Sequence, residues 1–219
     1  MIHGVGEQTS SFAEDARYNL RKGLREKGWQ LHCTQVHWAP LADRVQRKFL
    51  KSVEAKGSRG NMTQKLVVGT LADALMYRSS PELQQQIFHI IDQQIWMLGE
   101  PVTIFAHSLG GLIATDYLRA RPSCKNVKLV TFGCNIGLFT LGANFDCPQQ
   151  LRRPNSWVNL YAKSDMLGFP VAVDPALKHV QDVQVSVGRW WQGWTGLAHV
   201  RYWDTDRLWR RTIPKLLGI

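Results

Sequence analysis

Residues 101–118 read PVTIFAHSLGGLIATDYL: a mostly apolar run, a turn of small residues around one serine, then apolar positions at helical spacing. A strand that turns sharply into a helix, with serine at the apex, is the geometry that lifts a hydroxyl clear of a sheet as a nucleophile. The positions two before and two after such a serine approach one another, so both must be small; here they are Ala106 and Gly110. Ala106 stands where glycine is usual and is one methyl group larger. The competing reading is a glycine-rich turn whose serine only caps the following helix. The two readings part over what the rest of the chain supplies, because a serine nucleophile needs partners.

The surrounding pattern frames that turn. Alternation and β-branched content predict strands near 30–38, 102–106, 127–132, 156–162 and 182–187. Residues 11–27 gather Phe12, Ala16, Leu20 and Leu24 on one helical face, and residues 109–120 do the same with Leu112, Ile113, Tyr117 and Leu118. Strands alternating with helices predict an α/β fold with a mostly parallel central sheet flanked by helices. With 219 residues, no internal repeat and no low-complexity linker, residues 1–219 read as a single domain. The least regular stretch, 39–80, mixes a basic amphipathic segment with a Gly/Ser break at 57–60. It reads as a helical cap over the sheet edge or as two solvated helices.

A serine hydroxyl is activated by a histidine that takes its proton, and that histidine is oriented by an acid. Where the serine sits at a strand-to-helix elbow of this kind, the order along the chain is serine, acid, histidine, with each partner in a loop at the carboxyl end of a later strand. Asp165 follows the strand ending near Ala162, and His199 follows the last predicted strand. Asp174 and Asp182 are rivals for the acid, one further from the strand and the other opening the next one. His179 precedes the last strand; His32, His37 and His89 precede the serine; His107 adjoins it in a place suited to structural hydrogen bonding. Negative charge on an attacked carbonyl needs two backbone N–H donors. Leu109, directly after the serine, supplies one, and Val5, within the His-Gly-x-Gly turn of IHGVGEQ, supplies the other.

With these residues assembled, the chain resembles the α/β-hydrolase superfamily, particularly small bacterial lipases and serine esterases with an H-G-x-G oxyanion turn. The blocks IHGVGEQ, AHSLGG, LVTFGCN, YAKSDMLG and AHVRYW look like the corresponding blocks of such hydrolases, over nearly the whole chain. The resemblance implies an α/β-hydrolase fold, minimal or shortened at its amino terminus, since the chain opens on the strand carrying the oxyanion turn. It also implies that Ser108, Asp165 and His199 act as nucleophile, acid and base, with Val5 and Leu109 as oxyanion donors. The expected reaction is hydrolysis of carboxylic esters through an acyl-enzyme, needing no metal and no organic cofactor. A thioesterase, acyltransferase or amidase would use the same residues, and a non-catalytic binding protein could retain the scaffold.

Composition narrows the partners. Lys and Arg outnumber Asp and Glu by 27 to 17, giving a net charge of +10 that favours anionic surfaces, including a peripheral contact with an anionic membrane. No nucleic-acid recognition motif accompanies that charge. Trp190, Trp191 and Trp194 crowd the stretch before His199 and are candidates for lining an acyl pocket or meeting a lipid interface, whereas Trp203 is expected in the core. Cys33, Cys124, Cys134 and Cys147 lack zinc-site spacing and disulfide-scaffold density, and read as mostly buried thiols. MIHGVGEQ has no basic and apolar leader, and no run approaches the ~20 apolar residues that span a bilayer, so a cytoplasmic setting is the expectation.

Overall fold

The computed structural model describes residues 1–4, 9–41, 73–134, 136–137, 146–188 and 197–219. Helix α1 spans Glu14–Arg25, with Glu14 and Asp15 in its first turn and Lys22 and Arg25 in its last, charges that complement the helix dipole. Its Ala16, Leu20 and Leu24 are buried on one face, as the spacing predicts. Helix α2 spans Pro81–Leu98. Its start follows from the sequence: the Ser80 hydroxyl accepts the Leu83 N–H, proline occupies the first turn, and Gly99 at φ 74° ends it. Leu83, Ile87, Phe88 and Ile91 form its buried face.

Four strands follow, β1 (Val102–His107), β2 (Val127–Phe132), β3 (Trp157–Tyr161) and β4 (Gln181–Gln184), with helix α3 (Leu109–Ala120) between β1 and β2. They pair in the order β1-β2-β3-β4, all parallel. Register aligns Ala106, Thr131, Asn159 and Asp182 in one row across the sheet. Ile2 lies on the free side of β1, bridged in parallel to Ala106 and, beyond it, to Val36. The chain thus moves outward from Ile2 to Val36 and then returns to build β1 to β4 on the other side of Ile2. A reversal of this kind is the place where α/β sheets put ligands, outside the carboxyl ends of the strands.

Both faces of the sheet are covered, as a parallel sheet requires. On one side Ile104, Ala106, Leu129 and Trp157 pack with α2 and α3. On the other, Phe105, Val130, Phe132, Val158 and Leu160 pack with α1 and with the C-terminal run of Leu208–Thr212 and helix α4 (Ile213–Leu217). The strand expected over 30–38 is not formed; Val36 makes an isolated bridge, its N–H donating to Met1 O at 2.8 Å. A ladder propagates only as far as its partner runs beside it, and here that partner is the short Met1–Ile2 stretch. The last strand is also displaced, to Gln181–Gln184 from the expected 182–187. Of the 39–80 segment, residues 42–72 lie outside the described residues; residues 73–79 are helical, with Ala74 and Tyr77 packed into the first core. Among the described residues no helix is long and apolar enough to cross a membrane.

Candidate active site

Ser108 is the single residue between β1 and α3, and its backbone sits at φ 53°, ψ −125°. That region strains any residue with a Cβ and is held only where the surroundings enforce it. Several contacts do so. The Ser108 N–H donates to Phe132 O at 3.1 Å, and the His107 N–H donates to Ile2 O at 3.1 Å. The demand for small residues is met on both sides of the turn: a Cβ on Gly110 would lie 2.7 Å from His3 O, and one on Gly4 would lie 2.6 Å from Ser108 Cβ. The turn after Ile2 therefore presses directly on the serine. Ser108 does not cap α3; its Oγ is buried and has no hydrogen-bond partner among the described residues. Leu109 opens the helix, where the first N–H groups have no intrahelical acceptor and favour negative charge.

Asp165 lies in the loop after β3 and His199 in the 3-10 turn Leu197–Tyr202, and both are buried. The His199 Nδ1–H donates to Asp165 Oδ1 and Oδ2, each at 3.0 Å. The Leu167 N–H also donates to Oδ1 at 2.9 Å. Burial works to raise the Asp165 pKa, but the His199 bond and charge and the Leu167 N–H outweigh it, holding the carboxyl below the usual range. His199 Nε2, the ring nitrogen turned away from Asp165, is buried too, with no partner among the described residues. Buried polar atoms without partners are rare in folded proteins and call for an explanation such as a catalytic role. Ser108 Oγ and His199 Nε2 are two of them, and they are not hydrogen-bonded to each other in this structure.

Three further side chains frame the pair. His107, beside the serine, donates Nε2–H to His199 O at 2.8 Å, and the two rings are 4.7 Å apart. Burial, followed by the neighbouring His199, pushes its pKa down to about 3, so it is neutral. Tyr202 accepts the Ala162 N–H at 3.0 Å, and burial, with the adjacent Asp165, drives its pKa up. Side chains three apart eclipse in a 3-10 turn, which puts His199 and Tyr202 on the same side of it. His3 fixes the opening turn: Nδ1–H donates to Gly4 O at 2.7 Å while Nε2 accepts the Trp38 and Ala39 N–H groups at 3.1 and 3.3 Å. Its ring stacks on Trp38, and burial pushes its pKa down to about 4. His3 and Tyr202 lie within the motifs IHGVGEQ and AHVRYW, and the i, i+3 spacing from His199 is the signal in the chain that marks Tyr202.

The rival residues are occupied elsewhere. Asp174 Oδ1 accepts the Ala176 N–H and caps a short 3-10 turn. Asp182 accepts the Val171 and Ala172 N–H groups and the Asn159 amide. His179 pairs with Cys147 Sγ at 3.3 Å, and His89 with Gln93. Cys134 and Cys147 are buried and Cys33 and Cys124 half-buried, all four free thiols. Trp203 is in the core, stacked on Trp209 with centroids 5.5 Å apart. Val5, Trp190, Trp191 and Trp194 lie outside the described residues. Among the described residues no group of three or more His, Cys, Asp or Glu is arranged to hold a metal ion. No protein-family model matches this chain, and no curated protein matches it either.

Proposed function

We propose that the chain is a serine hydrolase acting on carboxylic esters through an acyl-enzyme, on an α/β-hydrolase scaffold. The observation that carries this reading is the buried Asp165–His199 pair, bonded through Nδ1 so that Nε2 is the nitrogen left to exchange a proton, with His199 packed on His107, the neighbour of a serine held at positive φ. In the proposed cycle His199 Nε2 takes the Ser108 proton as Oγ attacks the ester carbonyl. The Leu109 N–H, with Val5 as the second donor, stabilises the tetrahedral oxyanion. Collapse expels the alcohol, which receives the proton from His199. Water then attacks the acyl-serine with His199 again as base, releasing the acid and restoring Ser108. Asp165 stays ionised throughout and stabilises the imidazolium.

Apolar side chains next to the acid and base favour esters with an apolar acyl group: Met166 follows Asp165, Val200 follows His199, and both are about half exposed. The test is turnover of p-nitrophenyl esters from acetate to palmitate by the wild type and Ser108→Ala. We expect the substitution to remove roughly 10⁴-fold or more of the rate and to abolish labelling by a fluorophosphonate. Equal rates in the two proteins, with no labelling of the wild type, would leave a binding protein on this scaffold as the better account.

A further inference from the structure

We propose that His107 is a positioning residue, one that holds the base His199 in place through the hydrogen bond from its ring to the backbone carbonyl of His199. The inference rests on the hydrolase reading and adds to it a residue that touches neither substrate nor proton in transit.

The geometry is one of three loops meeting on one ring. His107 ends β1 and is covalently next to Ser108. Its Nε2–H donates to His199 O at 2.8 Å, a contact spanning 92 residues of chain and fully buried. Its other ring nitrogen faces the opening turn, where a Cβ on Gly4 would stand 3.3 Å from Nδ1. The ring itself is wedged among Phe132, Tyr202 and Trp203, with centroids 5.5 to 6.1 Å away. A bond to the backbone of the base acts differently from the bond to its side chain. Asp165 sets the tautomer and rotation of the imidazole, whereas the carbonyl bond sets how close the 197–202 turn comes to the end of β1. That turn has no strand of its own to fix it. Without the His107 bond, the 197–202 turn is free to draw back from the end of β1, carrying His199 away from Ser108 and lengthening its bond to Asp165.

Neutrality suits the role. A carbonyl accepts from a neutral imidazole as well as from a charged one, and a charged ring 4.7 Å from His199 would oppose the imidazolium that forms during turnover. The depressed pKa of His107 keeps that conflict from arising at neutral pH.

Glutamine and asparagine separate this role from packing. The amide nitrogen of glutamine overlies Nε2 of histidine and can reach the carbonyl; that of asparagine overlies Nδ1 and cannot. Both lose the aromatic ring, so a purely structural contribution falls equally on the two. We expect His107→Asn to lower kcat by roughly 10- to 100-fold, with KM changed by less than about threefold, and His107→Gln to recover most of the loss. The same contrast is expected without any turnover: in long-range ¹H–¹⁵N spectra the downfield Nδ1–H signal of His199 persists in wild type, Ser108→Ala and His107→Gln, and is weakened or lost in His107→Asn. Equal kcat in the glutamine and asparagine variants, or an unchanged His199 signal in both, would overturn the proposal. Were Ser108→Ala as active as wild type while the His199 signal still split the two His107 variants, the hydrolase reading would fail and the positioning would stand.

Discussion

Asp165 and Asp182 are brought into the same neighbourhood by adjacent strands, and both accept backbone N–H groups from the loop after β3, yet they are finished differently. Asp182 takes the Val171 and Ala172 N–H groups at 2.9 and 2.8 Å and the Asn159 amide at 2.7 Å. Asn159 in turn accepts the Thr131 hydroxyl, and Thr131 accepts the Trp157 indole N–H, so the row across the sheet is a closed polar ladder. Every donor in it is spent. Asp165 instead faces a histidine whose second nitrogen is buried with no partner among the described residues. A carboxylate surrounded by satisfied neutral donors holds a loop in place; under the proposed function, the one that ends on such a histidine serves proton transfer.

Replacing each acid tests that contrast, with the largest effect expected at Asp165. Asp165→Asn should lower kcat by roughly 10⁴-fold, because the amide stabilises the wrong histidine tautomer. Folding should be altered little, so urea melts and ester turnover should part company. A loss below tenfold would place Asp165 with Asp182 as a scaffold residue.

Acidification sharpens the contrast from the histidine side. His3 and His107 are buried neutral with pKa values pushed down to about 4 and about 3, below the ~6.5 of an unfolded histidine. Between those limits the unfolded chain binds more protons, so stability is full above pH ~6.5 and falls steadily toward pH ~4, by an amount on the order of a few kcal/mol. Asp165, held below the usual carboxylate range, adds its own loss only at still lower pH. Melting temperatures across pH 4–8 measure the slope, and His107→Gln should flatten it. A profile level down to pH 4 would mean that these rings are hydrated.

The smallest effect is expected at Asp182. Asp182→Asn breaks a structural knot and should cost about 1–3 kcal/mol in denaturant unfolding, with kcat per folded molecule within a few-fold of wild type. A kcat loss matching that of Asp165→Asn, at unchanged stability, would erase the distinction between the two acids.

Much of this arrangement was legible in the chain, for local reasons. β1, α3 and β2 fall within a residue of their expected bounds because each is long, apolar and buried, with turn chemistry at both ends. Chain order alone pairs Asp165 with His199, since parallel strands deliver successive loops to the same end of the sheet, and the two side chains are hydrogen-bonded there. Residues 30–38 alternate as a strand would, but pairing depends on a partner distant in sequence, and among the described residues only Val36 of this stretch makes a β-bridge. Tyr202, His3 and the His107 bond were missed for the same reason, each resting on approaches between segments 35 to 92 residues apart.

The backbone of Ser108 has a consequence for selection. A left-handed φ with a strained ψ, and a buried hydroxyl without a partner among the described residues, both count against the folded state at this position. Glycine there would relieve the first and remove the second. Screening variants for heat resistance alone would therefore drift toward erasing the serine, and only a screen that also demands chemistry would keep it.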